Sequence, residues 1–468
     1  MIQMQLSPKT EEAAKLFEEG VIALQRAEQQ GIRVDMKYID KQDKLLEKEI
    51  MKLEKEFKDS SFFRQWQYSS KAPVNMYSGQ QLGIFLYKVK KIPVPKATAG
   101  GEGGSTDEET LKSLNIPELD TLLKIKKLKV LKDKYLKSLS REQVDGYIHP
   151  FFNLNLVRTY RSSSDRPNFQ NFPKRDEDAM KIIRGAMFPR PGHQFLELDY
   201  KSLEVMIACC YHQDPTMMKY LSDKTTDMHR DMAQQIFKIK EFSKDDHSHK
   251  YLRSATKNAF VFPQFYGDYY ANNAIGLACT WGKLPKEGIW KPGQGCEFEN
   301  THLADHLIKN GYKDVASYSK YIQEIERNFW TRRFPVYAKW KEKWWAEYQE
   351  KGYMWSKTGF TYQGYMTKND CINYPVQGAA FHVLLWSFIE ATKAMLRDKW
   401  KTKLVGQIHD AIVLDVYPPE LDKIIKIMRC IMINDVKQHW PWINVPLEVE
   451  ASVSPINGSW AETEEMKI

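Results

Sequence analysis

The sequence predicts an α+β fold, and three observations carry that prediction. HQFLELDY at 193–200 is a short apolar run ending on a carboxylate and a tyrosine, the length and pattern of a buried strand. LVGQI and AIVLDV flank His409 and Asp410 as two more apolar runs, which reads as a hairpin packed on a core with a carboxylate at its tip. Around these strands lie long stretches with apolar residues at helical spacing.

In chain order, residues 8–30 come first: Ala14, Phe17, Val21, Leu24 and Ala27 recur at intervals of three and four, and helical pattern continues to about residue 58. GGEGG at 100–104 lacks a preceding strand and a GK[ST] ending. It is therefore expected to be a loop, with Ser105, Thr106 or Asp107 capping the next helix. Residues 121–141 carry eight basic residues against the single acid Asp133, with Leu128, Leu131, Tyr135 and Leu139 as a packing stripe. A helix so one-sided in charge is either a solvated face or meets an anion such as a phosphate backbone. SLEVMIACCYHQD is a buried helix after the first strand. Residues 268–330, punctuated by glycine, proline and tryptophan, read as loop-rich, and FHVLLWSFIEATKAMLRDKW at 381–400 is a helix feeding the hairpin.

A length of 468 residues suits about three domains. With 42% hydrophobic and 28% charged residues the chain is globular rather than disordered. A net charge of +9 favours a polyanionic partner only weakly, because it does not say where the charge lies. Six cysteines without CxxC spacing read as reduced thiols rather than a disulfide or metal framework. The N-terminal stretch is acidic and lacks an apolar core, and no apolar run approaches a membrane span. The expectation is a soluble, intracellular protein with no membrane partner.

Asp199 closes one apolar strand and Asp410 tops the hairpin. Either alone is an ordinary turn or cap residue. Two aspartates at one sheet edge would repel unless cations bridge them. Hard oxygen ligands suit magnesium, which takes its other ligands from water and substrate phosphates. Two such ions ~3.5–4 Å apart can activate a hydroxyl and stabilise a leaving pyrophosphate. In YLRSATKNAFVFPQFYGD (251–268), Arg253 and Lys257 are four apart and share a helix face. Phe260 or Phe262 and Tyr266 follow, so cations could grip a triphosphate while rings contact a base. His229, in TTDMHRDMAQQIF, could add a donor to a phosphate oxygen.

Five ordered blocks together resemble family A DNA polymerases, the group of bacterial DNA polymerase I and many phage replicases. TYRSSSDRPNFQNFP (159–173) is similar to the family's TGRLSSxxPNLQNIP, with Tyr160 where glycine is usual. It implies Arg161, Asn168 and Gln170 on the primer-template. LDYKSLEVMIACCYHQD resembles the DYSQIELR block and implies Asp199 as a metal ligand, Tyr200 beside it through its backbone carbonyl or by packing, and Glu204 as the steric gate against a ribose 2′-hydroxyl. TDMHR places His229 on the nucleotide phosphates. The 251–268 segment resembles RxxxK…FxxxYG, implying Arg253, Lys257, Phe262 and Tyr266 on the dNTP. It has one surplus residue between Lys257 and Phe262, so the helix is expected to bulge there. NYPVQGAA with QIHDA implies Asn373, Gln377 and His409 on the primer-template and Asp410 as the second metal ligand. Asn369 stands where an arginine is usual, and Ala411 where a glutamate is usual.

The resemblance implies a right-hand polymerase fold: an antiparallel palm sheet, helical fingers and a helical thumb. Its expected divisions are palm 1–35, thumb 36–145, palm 146–208 with the first catalytic aspartate, fingers 209–350, and palm 351–468 with the second. It implies DNA-directed DNA synthesis from dNTPs on a primer 3′-hydroxyl, with two Mg2+ ions as cofactor (Mn2+ as a substitute) and thumb contacts from Lys126, Lys127, Lys129 and Lys134 to the duplex. A phage or mobile-element type without a proofreading exonuclease is expected, in bacterial or phage-infected cytoplasm, with a separate exonuclease, helicase or primase as candidate partner. The alternatives are a replication protein whose catalysis is altered, suggested by Ala411 and the irregular fingers helix, and a relative of single-subunit RNA polymerases.

Overall fold

The computed structural model describes residues 5–94, 103–174 and 176–468. The Gly-rich stretch at 100–104 lies mostly outside them. Helix α1 (Thr10–Gln30) buries Ala13, Leu16, Ala23, Leu24 and Ala27 along one stripe. α2 (Met36–Asp59) starts where the Asp35 side chain accepts from the Tyr38 amide. α3 (Pro117–Lys129) continues through a π-helical stretch, Val130–Leu136, into Lys137–Glu142. The wider π turn shifts the packing stripe: Leu119, Leu122 and Ile125 face a small core with α2, whereas Leu131, Leu136 and Leu139 join the main core.

The excess of lysine on this long helix is matched largely by the chain's own acids. Lys132 pairs with Glu47, Lys124 with Glu49 at 3.2 Å, Lys127 with Asp176 at 2.5 Å, and Lys137 with Asp133 at 2.6 Å. Lys129 lies over the Tyr77 ring at 4.3 Å. Lys126 is half-buried and Lys134 exposed. Part of the charge of this run is thus offset within the chain itself, at Lys124, Lys127, Lys132 and Lys137.

The central strand β1 (Gln194–Tyr200) leads through Ser202, at φ 52°, into α4 (Leu203–His212). α5 (Met228–Phe237) and α6 (His247–Thr256) follow. Residues 268–330 are loop-rich only in part: Tyr270–Ile275 with the π turn Gly276–Trp281, Leu303–Lys309 and Val315–Asn328 are helical, while 282–302 is loop apart from the short pair Glu297–Phe298 and Thr301–His302. Gly282, Gly288, Gly293, Gly295, Pro285 and Pro292 all fall in that loop, and Trp290 and Phe298 from it, with Tyr318 from the following helix, fill the core there.

The expected 381–400 helix is α7 (Lys368–Arg397), which starts earlier and takes in NYPVQGAA. Pro375 sits inside it and cannot donate to Cys371, but the Trp344 indole N–H does so instead at 2.9 Å. α7 is long and apolar enough to cross a membrane, contrary to the expectation that no such run exists. Yet 78% of its most apolar 18-residue window is buried inside the protein. It is the core helix beneath the sheet.

β2 (Lys403–Ile408), β3 (Ala411–Val416), β4 (Val449–Val453) and β5 (Glu464–Met466) complete an antiparallel sheet in the order β2-β3-β1-β4-β5. The register sets Asp199 opposite Ala411 on one side and Glu450 on the other. Gly406 in β2 is required by close approach, since a Cβ there would come within 2.8 Å of the Phe169 ring. The PNFQNFP block is thereby packed against the hairpin.

Candidate active site

The hairpin turn consists of His409 and Asp410 alone, because Ile408 already pairs with Ala411. His409 takes φ 49° and is exposed. The Tyr200 amide donates to the Asp410 carbonyl at 3.0 Å, so the end of β1 and the hairpin tip are held together. Asp199 and Asp410 thus stand at one edge of the sheet. Burial, with the nearby Glu204 and Asp199 carboxylates adding, pushes the Asp410 carboxyl up to about 7. Burial also raises Asp199, which Lys174 opposes.

This crowding of carboxylates is the donor chemistry that a hard divalent cation relieves. Among the described residues no three acidic, histidine or cysteine side chains form a metal cage of their own. Magnesium suits such a partial set because substrate phosphates and waters fill its remaining positions. The Tyr200 phenol is turned into the core, where it donates to Met432 O at 2.7 Å and meets Ser387 Oγ at 2.9 Å. Only its backbone carbonyl remains as a candidate ligand.

Glu204 lies in the first turn of α4 and accepts twice: from Arg161 Nη1 at 2.7 Å and from the Tyr266 hydroxyl at 2.5 Å. Glu204, Phe262, Tyr266, Asn373, Gln377 and Asp410 together line a cavity of about 190 Å3. Four separate segments, singled out from spacing and resemblance, meet in that one space.

The surplus residue after Lys257 is absorbed as expected. Lys257–Val261 forms a π turn between α6 and the helix Phe262–Phe265. The wider turn returns Phe262 to the face of Lys257, whose Nζ lies 5.2 Å over the Phe262 ring, and His229 meets the same ring edge-on at 5.8 Å. Phe260 is fully buried against Phe329, which leaves Phe262 as the ring at the cavity. Burial, followed by the charges of Arg253 and Lys257, lowers His229 to about 4, so the ring is neutral near pH 7. Its Nδ1 is buried without a hydrogen-bond partner, an atom suited to a ligand. Gly267 ends the segment at φ 90°, with Asn369 packed against its Cα; a Cβ there would fall 2.2 Å from Asn369 Oδ1.

Some residues do other work as well. Asn168 caps the short turn Phe169–Asn171 by accepting from the Asn171 amide at 3.2 Å, and Gln170 donates to Ser162 Oγ at 2.8 Å. Tyr160 takes φ 56°, the conformation for which glycine is the usual choice. Its hydroxyl donates to Thr361 O at 2.8 Å and its ring packs on Phe17, Phe360 and Tyr362.

The sequence reading missed Asp227, which caps α5 and holds Arg253 through contacts of 2.7 and 3.1 Å. An aspartate just before a helical run was a legible cap, although its arginine partner was not. Lys174 and Glu197 beside Asp199 were also missed.

The family described as DNA polymerase family A matches residues 36–462. This chain belongs to DNA polymerase family A. It is 28% identical over 442 residues to DNA polymerase I of Aquifex aeolicus, covering 92% of this chain and 64% of that protein. It is 26% identical over 378 residues to DNA polymerase I of Lactococcus lactis, covering 80% of this chain and 38% of that protein. The chain thus spans less than two thirds of the length of these relatives. The fold is similar, with a TM-score of 0.73 at 21% identity, to the POL domain of Pol1 from M. smegmatis in complex with DNA primer-template and dNTP. That likeness covers 97% of this chain and 73% of the other, and the expected α+β class holds. Family A polymerases generally use divalent metal, in keeping with the carboxylate pair.

Proposed function

We propose that this chain catalyses template-directed DNA synthesis from dNTPs on a primer 3′-hydroxyl. The observation that carries the reading is the pair Asp199 and Asp410 held together at one end of the sheet strands, with Asp410 lining a cavity shared with Glu204, Phe262 and Tyr266.

In this reading Arg253 and Lys257 grip the triphosphate, and neutral His229 donates to a phosphate oxygen. Phe262 and Tyr266 bear on base and sugar. Glu204, fixed by Arg161 and Tyr266, lies under the sugar and leaves no room for a 2′-hydroxyl. Asn373, Gln377, Asn168, Gln170 and His409 border the path of primer and template, and the lysines at 126, 127, 129 and 134 face duplex backbone. Asp199, Asp410 and the Tyr200 carbonyl would hold two Mg2+ ions, which when bound lower the pKa of the attacking hydroxyl and offset charge on the leaving group. The O3′–Pα bond forms as the bond from Pα to the bridging oxygen breaks, pyrophosphate departs, and the hydroxyl proton passes to solvent.

A primed template offered single dNTPs tests this directly. Extension is expected only with the nucleotide complementary to the template base, and incorporation blind to the template would contradict the proposal.

A further inference from the structure

Lys174 follows the PNFQNFP block and reaches the catalytic edge of the sheet from outside it. Its Nζ lies 2.7 Å from Glu197 Oε1 and 2.9 Å from Asp199 Oδ2. Glu197 and Asp199 are two apart on β1, so their side chains leave the same face. Glu197 is buried and has other partners: Arg184 Nη1 donates to its Oε2 at 3.1 Å, and the Trp460 indole N–H at 3.2 Å. Arg184, also buried, lies 4.1 Å over the Trp460 ring and balances the Glu197 charge. The Lys174 ammonium, anchored on Glu197, is therefore left to offset the charge of Asp199.

We propose that Lys174 is a positioning residue of the catalytic edge: it aims the Asp199 carboxylate and competes with divalent cations for Asp199 Oδ2. The proposal rests on Asp199 being a metal ligand, as argued above. A divalent ion bound to a carboxylate oxygen at ~2.1 Å would lie within roughly 5 Å of this ammonium, and like charges so close weaken its binding. The fixed cation also limits the repulsion that Glu197, Asp199 and Asp410 would otherwise exert on one another. It sets how tightly the site loads metal without touching substrate.

The test is Mn2+ binding to the full chain, read from the electron paramagnetic resonance signal of free Mn2+. Lys174→Met is expected to bind Mn2+ about three- to tenfold more tightly than the unmodified protein, while Lys174→Arg, which keeps the charge, stays within about twofold. Lys174→Gln replaces the methionine variant if that one fails to fold. Equal or weaker binding after loss of the charge would overturn the proposal. Asp199→Asn serves as the control for the underlying reading. If it leaves Mn2+ binding unchanged, the metal-ligand assignment fails, and that failure is separate from any result at Lys174.

Discussion

The backbone amide of Tyr200 donates to the carbonyl of Asp410 at 3.0 Å, and this one bond ties the end of β1 to the hairpin tip. Asp199, one residue before Tyr200, also pairs in register with Ala411, one residue after Asp410. Two carboxylates far apart in sequence are thus fixed by ladder hydrogen bonds rather than by flexible loops. The small side chain at Ala411 is buried in the sheet and takes no part in the acidic cluster.

Glu204 should govern sugar selection. Glu204→Ala removes the carboxylate that Arg161 and Tyr266 hold in place. The ratio of kcat/KM for an rNTP to that for the matching dNTP is expected to rise by about a hundredfold, the scale on which a pocket rejects an added hydroxyl by shape. An unmodified protein that uses both equally would remove Glu204 from this role.

The π turn at Lys257–Val261 has one task, to absorb a surplus residue. Deletion of Asn258, exposed on that turn, should relax it to an ordinary α-helix with Lys257 and Phe262 still on one face. The KM for dNTP is then expected to change by less than about tenfold. Deletion of Ser254 instead rotates Arg253 by about 100° relative to Lys257, and dNTP binding should collapse. The reverse ranking of the two deletions would mean that the bulge itself does the work.

Tyr160 trades backbone strain for packing. Its φ of 56° costs about 1–2 kcal/mol for a residue other than glycine, and removal of a packed ring costs about 3–5 kcal/mol when it is fully buried. Tyr160 is half-buried and hydrogen-bonded to Thr361, so packing still prevails. Tyr160→Gly is expected to lower Tm by a few degrees in a calorimetric scan; a gain in Tm would show that strain dominates.

Two interior histidines make the protein acid-sensitive. Burial lowers both His212 and His382 from 6.5 to about 3, so each stays neutral in the folded chain. Between pH 6.5 and 3 the unfolded chain binds protons that the folded chain does not, so stability falls as pH drops through that window. The loss at pH 5 is about 2 kcal/mol for each residue. Tm should therefore decline from pH 7 to pH 5, and less steeply in His382→Gln. An equal decline in that variant would assign the acid sensitivity elsewhere.

Much of this was legible in the sequence because it is written locally. β1, the hairpin, α1 and α4 each declare themselves by apolar runs and spacing, and the π turn was legible as one residue too many between Lys257 and Phe262. What stayed hidden depends on partners distant in the chain. The lysines of 121–141 looked unbalanced because Glu47, Glu49 and Asp176 come from other segments. Lys174 could not be tied to Asp199 until the fold brought them together. Residues 268–330 were read only in part, because the glycines and prolines that do mark the 282–302 loop also hid the helices on either side of it.

The most direct test of the central claim is primer extension by Asp199→Asn and Asp410→Asn across a magnesium titration, with folding checked by Tm. Both carboxylates are assigned to the same ions, so each variant is expected to lose at least about a thousandfold in rate at every Mg2+ concentration, while unmodified protein without a divalent ion should be inactive. Extension by either variant at near the unmodified rate would contradict the assignment.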